Sequence, residues 1–461
     1  MDEQFEHWDE TTRRLVAFAQ RVTFDGLGAG ALHETKRRLI DTFASALGAY
    51  DEPVCVMSRA FAAGYHATGE VRVWGSNHLT SPDIAAFANG VMIRALDVSD
   101  TCLGRSRGHP SDMISGLVAV AELAHADGKA LIEAISLAYD VYCSFCEHVD
   151  VNAKGWDQPV YGVMGCALGA AKLMRLGADE TAHALSLALT PNMALAQARR
   201  GHLSSWKGCA GANGSRNAVF ATLLAREGFT GPVAAFDGSG GLWEVIGRSE
   251  WPLPDEPLIG KTHTKSLPVC YHGQSGVLAA LELRERVNLP EIREIKVEAY
   301  GTAVFMMGSD ASRWAPETRE TADHSLPYCV AMALLDGEVT QASFAASRLR
   351  DPAVKEIMRK VVVVEAPDLS AMYPEGAPGR VTILMRSGEV HVAEMRYPKG
   401  HEKNPMTDSE IERKFVELCA GRLGNKRRER LIETLWKLER VEDVRTVTAL
   451  LSAGANETGE A

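Results

Sequence analysis

The sequence predicts a mainly α protein, a large all-helical domain built from both ends of the chain with a smaller α+β domain inserted. Three observations predict it. Long Ala-rich segments with apolar residues at helical spacing fill residues 10–260. Short apolar or alternating runs bounded by turn residues then take over. Helical spacing returns from about Thr407. The boundaries drawn from these shifts are 1–267 and 401–461 for the helical domain and 268–400 for the α+β domain.

The elements follow in order. ALHETKRRLIDTFASALGAY sets Leu32, Leu39, Ile40, Phe43 and Leu47 on one helical face. SGLVAVAELAHADG, LIEAISLAYDVYCSFCEH and GVMGCALGAAKLMRLG are apolar on more than one face, so they belong at the centre of a bundle. Their small residues allow close helix packing, and Gly128 and Gly177 stand where C-terminal caps are expected. Near residue 252 the composition changes: WPLPDEPLIGKTHTKSLP carries four prolines and reads as an ordered crossing segment. Beyond it REIKVEAYGTAV, KVVVVEA and GRVTILMRSGEVHVAEMRY read as strands, with Ser387-Gly388 as a hairpin turn. Helices lie between them at SGVLAALELRERV and PYCVAMALLDG. DSEIERKFVELCAGRL and RERLIETLWKLER return to helix, and the tail SAGANETGEA is expected to fray.

Composition narrows the function. A chain of 461 residues with 46% hydrophobic and 24% charged residues is an ordinary globular protein, long enough for two cores. A net charge of -11 argues against nucleic-acid binding, which needs a basic surface. An acidic protein that takes an acidic substrate must gather its cations locally, so clustered Arg and Lys are informative. The start MDEQFEHWDE has no basic and apolar leader pattern, and no apolar run reaches membrane-spanning length. The nine scattered cysteines suit a reducing cytoplasm. Cys143 and Cys146 lack further metal ligands nearby and read as buried small residues on a helix. Cluster-type Cys spacing, phosphate-binding GxxxxGK[ST] and HExxH are all absent from the sequence.

Four segments place polar and charged residues among glycines, where a packed core would not want them. LDVSDTCLGRSRGHPSD carries Asp97, Asp100, Thr101, Arg105, Arg107, His109 and Asp112 on a loop, the usual location of catalytic groups on a rigid scaffold. Its alternative is a solvated loop in which Ser111 or Asp112 caps the next helix. KGWDQPVYG holds Lys154, Asp157, Gln158 and Tyr161, or is simply a turn. ARRGHLSSWKGCAGANGSRNAV clusters Arg199, Arg200, Lys207 and Arg216 with small residues, as an anion site requires. THTKSLPVCYHGQS places Lys265, Tyr271, His272 and Gln274 at the expected domain junction. ETADHSLPY, preceded by Arg319, adds Asp323, His324 and Tyr328 at a helix start, where capping and a satisfied histidine are an equally good account.

Taken together and in order, LDVSDT…GHPSD, GWDQPVY, LSSWKGCAGANGSRNAVFATLLAREGFTGP, TRETADHSLPY and RYPKGHEKNPMTDSEIERKF resemble the MmgE/PrpD family, over about residues 12–440. Its members include 2-methylcitrate dehydratase, cis-aconitate decarboxylase and an iminodisuccinate epimerase. The resemblance implies a helical domain, an α+β lid domain with the active site between them, a homodimer, and no metal or organic cofactor. It matches the family's active-site Asp and Thr to Asp97 and Thr101, its His before Pro to His109, its Lys to Lys207 and its Tyr to Tyr328. The lysine–proline segment matches Lys265, with His272 beyond it. The decarboxylase and epimerase branches carry a His directly after the Gly-aromatic pair, where this chain has Asp157; dehydratase-like members more often show Gly-x-Asp-His, and Gln158 stands in place of that His. The departure favours dehydration, as of 2-methylcitrate to 2-methyl-cis-aconitate, over decarboxylation or epimerisation.

Dehydrating a β-hydroxy polycarboxylate needs a base, cations for the charge that builds, and an acid for the departing hydroxyl. The expected roles are proton transfer by His109, because a histidine ordinarily titrates near neutrality, and orientation or base catalysis by Asp97. Lys207, Lys265 and Arg105 or Arg107 are expected on carboxylates. Hydrogen bonds to the small polycarboxylate come from Thr101 and Tyr328, with His272, Asp157 and Gln158 also lining its site. A non-catalytic polycarboxylate-binding protein is the alternative of a different class.

Overall fold

A computed structural model describes residues 5–65, 70–201 and 203–452. They form two compact units: 5–65, 70–198, 208–262 and 407–452 make one, and 199–201 and 203–207 with 263–406 make the other. Residues 453–461 of the tail expected to fray lie outside the described residues.

The first unit is helical. Its main helices are α1 (Glu10–Arg21), α2 (Gly28–Gly48), α3 (Pro82–Ala95), α4 (Ile114–Leu123), α5 (Gly128–His148), α6 (Pro159–Leu173) and α7 (Ala178–Leu189). Helix α8 is Trp206–Arg226. The segments apolar on several faces are central: every residue from Ala134 to Cys146 of α5 and from Pro159 to Ala171 of α6 is buried. Small residues set how close these two approach. A Cβ on Gly165 would lie 2.6 Å from the Ala138 carbonyl, and one on Gly169 2.9 Å from that of Ala134. The chain ends meet here, because α11 (Asp408–Cys419) packs on α2. Thr407 and Glu410 form a capping box that starts α11.

Gly128 and Gly177 are not C-terminal caps. Gly128 is the first residue of α5, behind the capping Asp127, and Gly177 is the N-cap of α7. The left-handed positions after α4 and α6 are taken by His125 and Arg175, at φ 50° and 56°. Gly128 is needed for another reason: a Cβ there would collide with the Leu438 carbonyl.

The second unit holds a four-stranded sheet of β3 (Ile292–Ala299), β4 (Val361–Glu365), β5 (Gly379–Met385) and β6 (Val390–Met395), in the order β4-β3-β5-β6. Two shorter strands, β1 (Cys102–Leu103) and β2 (Arg107–Gly108), lie in the first unit. β3 pairs parallel with β4 and antiparallel with β5, which pairs antiparallel with β6. Ser387-Gly388 makes the expected hairpin turn, with Gly388 at φ 92°. Alternation along β5 buries Val381, Ile383 and Met385, which join Ile295 and Val297 of β3 in one apolar core. Helices α9 (Gln274–Leu283) and α10 (Leu326–Asp336) pack on each other, and α9 covers β5 and β6. The strand expected over REIKVEAYGTAV ends early: it stops at Ala299, and Gly301–Met307 is helix. A short apolar run carries no period that separates the two states.

Candidate functional site

Each unit gathers one buried cluster of the residues that the sequence singled out. In the first unit the cluster hangs from the end of α3. Asp97 sits just past it in a left-handed conformation, φ 53°, which is uncommon for a residue with a Cβ and is held here by its partners. Arg94, in the last turn of α3, reaches Asp97 Oδ1 at 3.1 Å, Ser99 Oγ at 2.8 Å and Asp112 Oδ1 at 3.4 Å. Burial by itself disfavours the Arg94 charge, but Asp97 and Asp112 outweigh it and raise the guanidinium pKa above its usual value.

His109 follows a two-stranded hairpin, β1 (Cys102–Leu103) with β2 (Arg107–Gly108). Thr101 Oγ donates to the Gly108 carbonyl across it at 3.0 Å. The His109 imidazole is placed by its own loop: Nδ1 lies 2.7 Å from the Asp100 carbonyl oxygen. A carbonyl only accepts, so Nδ1 carries the proton and the neutral ring has its lone pair on Nε2. The His109 backbone N–H donates to Tyr142 Oη at 2.6 Å and Gln158 Oε1 at 2.5 Å. Gln158 Nε2 in turn donates to Asp112 Oδ2 at 2.9 Å. The Asp100 carboxylate is itself held, by the Ser111 N–H at 3.0 Å and the Tyr139 hydroxyl at 2.8 Å, with Arg38 3.9 Å away. Burial raises the Asp100 pKa, while Arg38, Ser111 and Tyr139 work against the rise. His109 is therefore half-buried and gripped at ring and backbone by groups from its own loop, from α5 and from the start of α6.

Neither Ser111 nor Asp112 caps α4. Arg105 is exposed and Arg107 half-buried, at the hairpin turn; the Arg107 carbonyl accepts from Tyr161 Oη at 2.6 Å. Asp157 is buried, and its backbone N–H donates to the Ala194 carbonyl at 2.8 Å.

Gly108 sets the tolerance of this arrangement, because a Cβ there would collide with both Tyr142 Oη and Gln158 Oε1. Gly108→Ala is expected to displace His109 and to cost about 1–3 kcal/mol of stability, the range for overpacking a filled site. Urea unfolding checks it; an unchanged unfolding free energy contradicts it.

The second cluster lies in the other unit. Lys207 Nζ is 2.8 Å from Asp323 Oδ1, and the same oxygen is 2.6 Å from His324 Nδ1, with all three side chains buried. The Arg199 guanidinium donates to the Lys207 carbonyl at 2.6 Å and ties this segment down. Burial opposes charge on His324 and so does Lys207, yet Cys270 and Asp323 prevail and raise its pKa above the usual value. Ser325 caps α10 by accepting from the Tyr328 N–H at 3.1 Å, as a helix-start reading anticipates. The Tyr328 hydroxyl donates to the Ser343 carbonyl at 2.6 Å. Lys265 is fully buried. His272 Nδ1 lies 2.6 Å from Tyr300 Oη, beside the Tyr300–Tyr373 ring stack.

The structure thus joins His109, Thr101 and Gln158 through Gly108 and the His109 backbone, with Asp97 linked through Arg94 and Asp112. It joins Lys207 to Asp323 and His324, and it places Tyr328 and His272 on partners of their own. Sequence reasoning missed Arg94, Tyr139 and Tyr142. A lone Arg three residues before Asp97 in an apolar helix end is a usable signal; the two tyrosines look like any core aromatic stripe.

Comparison with known proteins adds to this geometry. The MmgE/PrpD N-terminal domain pattern matches residues 13–253 and the C-terminal domain pattern residues 267–439. The chain is similar to 2-methylcitrate dehydratase of Cupriavidus necator, 26% identical over 84% of this chain and 86% of that protein. It is similar to 2-methylcitrate dehydratase of Escherichia coli strain K12, 25% identical over 94% of this chain and 96% of the other. It is also similar to cis-aconitate decarboxylase of Mus musculus, 24% identical over 95% of this chain and 93% of the other.

Proposed function

Because the chain belongs to the MmgE/PrpD family, we propose that it is a lyase that removes water from a small β-hydroxy polycarboxylate of the 2-methylcitrate type. The single observation that carries the reading is the fixed tautomer of His109, whose Nδ1 is committed to the Asp100 carbonyl. Nε2 is then the basic nitrogen, held ready by a ring that cannot turn without losing that bond.

In the proposed reaction His109 Nε2 takes the proton from the carbon next to a carboxylate. The electron pair forms the double bond, the carbon–oxygen bond on the neighbouring carbon breaks, and the hydroxyl leaves as water once protonated. A general acid protonates the departing hydroxyl, and Arg105 supplies positive charge for a substrate carboxylate. Preorganised charge of this kind is usually the largest contribution to such a reaction. Thr101 and Tyr328, whose hydroxyl protons are directed at backbone carbonyls, act by holding their loop and helix. The reaction so written calls for no metal or organic cofactor.

The test is proton NMR of purified protein with 2-methylcitrate, citrate and related hydroxy acids in deuterated water. Vinyl or methyl signals of an unsaturated product, with deuterium entering recovered substrate next to a carboxylate, are expected. Loss of CO2 would move the assignment to the decarboxylase reaction, and binding with neither turnover nor exchange would leave a polycarboxylate-binding protein.

A further inference from the structure

The second unit has a cavity of 770 Å³ that the proposed reaction does not use. None of Lys207, Asp323 or His324 lines it. Its volume is that of a site for a molecule of drug-like size. The floor is apolar and aromatic: Met358 and the ring of Tyr328 are buried there, and the Trp314 indole, 38% exposed, forms a wall. That indole is held in place by its Nε1–H bond to the Gly308 carbonyl at 2.8 Å. The Tyr328 ring is held by its bond to Ser343.

Three exposed cations, Arg350, Lys355 and Arg359, also line the cavity, against one carboxylate, Glu317. The local balance is +2 in a chain of net charge -11. Nearby carboxylates are engaged elsewhere: Asp336 and Asp351 pair with Arg348, and Glu356 lies 3.8 Å from Lys360. Among the described residues, Arg350, Lys355 and Arg359 form no ion pair.

We propose that this cavity binds a small organic anion with a flat apolar body, an aromatic carboxylate or sulfonate. The ring of such a molecule covers Trp314, Tyr328 and Met358, where stacking and apolar burial favour it. Its acidic group meets the three cations. A wholly polar polycarboxylate fits less well, because the floor offers it no hydrogen bonds for those it gives up to enter. The inference does not depend on the proposed lyase reaction, and its test reads binding alone.

The probe is 8-anilinonaphthalene-1-sulfonate, titrated into the full chain with fluorescence detection, and 4-phenylbenzoate and inorganic phosphate are the competitors. Saturable binding is expected, displaced by 4-phenylbenzoate and little affected by phosphate at the same ionic strength. Arg350→Glu/Lys355→Glu/Arg359→Glu is expected to weaken binding about tenfold or more, the effect of 1.4 kcal/mol lost across three cations. Trp314→Ala alters one wall without touching charge and is expected to weaken it as well. Circular dichroism and the thermal midpoint show that each variant is folded. Affinity unchanged in Trp314→Ala, affinity unchanged in the charge-reversed protein, or equal displacement by phosphate each overturns the proposal.

Discussion

His109→Ala is expected to lower kcat for the proposed dehydration by about 100- to 10,000-fold, the range for loss of a positioned acid–base group, while the protein stays folded. The structure separates the ring from the backbone contacts at this residue. The His109 N–H keeps its bonds to Tyr142 and Gln158 whatever the side chain, so the loop retains its anchors. The imidazole and its bond to the Asp100 carbonyl are lost. The prediction is therefore a fall in kcat with an unchanged circular dichroism spectrum, and deuterium exchange into the substrate should fall with it. Turnover at the wild-type rate would remove His109 from the mechanism.

Asp323→Ala is expected to destabilise the protein by about 3–5 kcal/mol, because removing one member of a buried ion pair strands its partner. Here the Lys207 ammonium at 2.8 Å and the His324 ring at 2.6 Å share the same carboxylate oxygen, so one substitution removes a counter-charge from both. Adding Lys207→Met, which takes away the ammonium but keeps an unbranched apolar chain, is expected to restore most of the loss. The pH dependence follows from His324. Its folded pKa is raised above the ordinary 6.5 by Cys270 and Asp323, against burial and Lys207. Its stabilising contribution is thus fully present below about pH 6.5 and lost as pH rises through the raised value. Asp323→Ala removes one of the groups that raise it, so the deficit should deepen toward acid pH. Urea unfolding at pH 6 and pH 8.5 measures both effects. A single-variant cost under about 1 kcal/mol, the worth of an exposed pair, would show that the carboxylate is not the counter-charge of that cluster.

The polar segments are visible in the sequence because each is continuous in the chain. GHPSD and LDVSDT interrupt helical periodicity with acids, a base and glycines, and a loop rigidly hung between α3 and α4 is what they form. His109, Asp97 and Thr101 can be named for that reason. Gln158 stands out in the sequence as a departure from a pattern, and in the structure it joins the His109 backbone to Asp112. The misjudged glycines have a different cause. Local context alone reads Gly128 and Gly177 as C-terminal caps, but the demand on Gly128 comes from Leu438, far along the chain. Nothing in the composition marks residues 199–207 as part of the unit that otherwise begins at His263.

Periodicity and turn chemistry are properties of neighbours in sequence, and they were enough to set most of the helices, the Ser387-Gly388 hairpin and the loops that carry clustered polar residues. Which buried groups face one another was decided only by the tertiary structure. His109 meets Tyr142 and Gln158 from 33 and 49 residues away, and Lys207 meets Asp323 across 116. Hydrogen bonds and ion pairs act over about 3 Å of space, a distance that residue spacing along the chain does not encode.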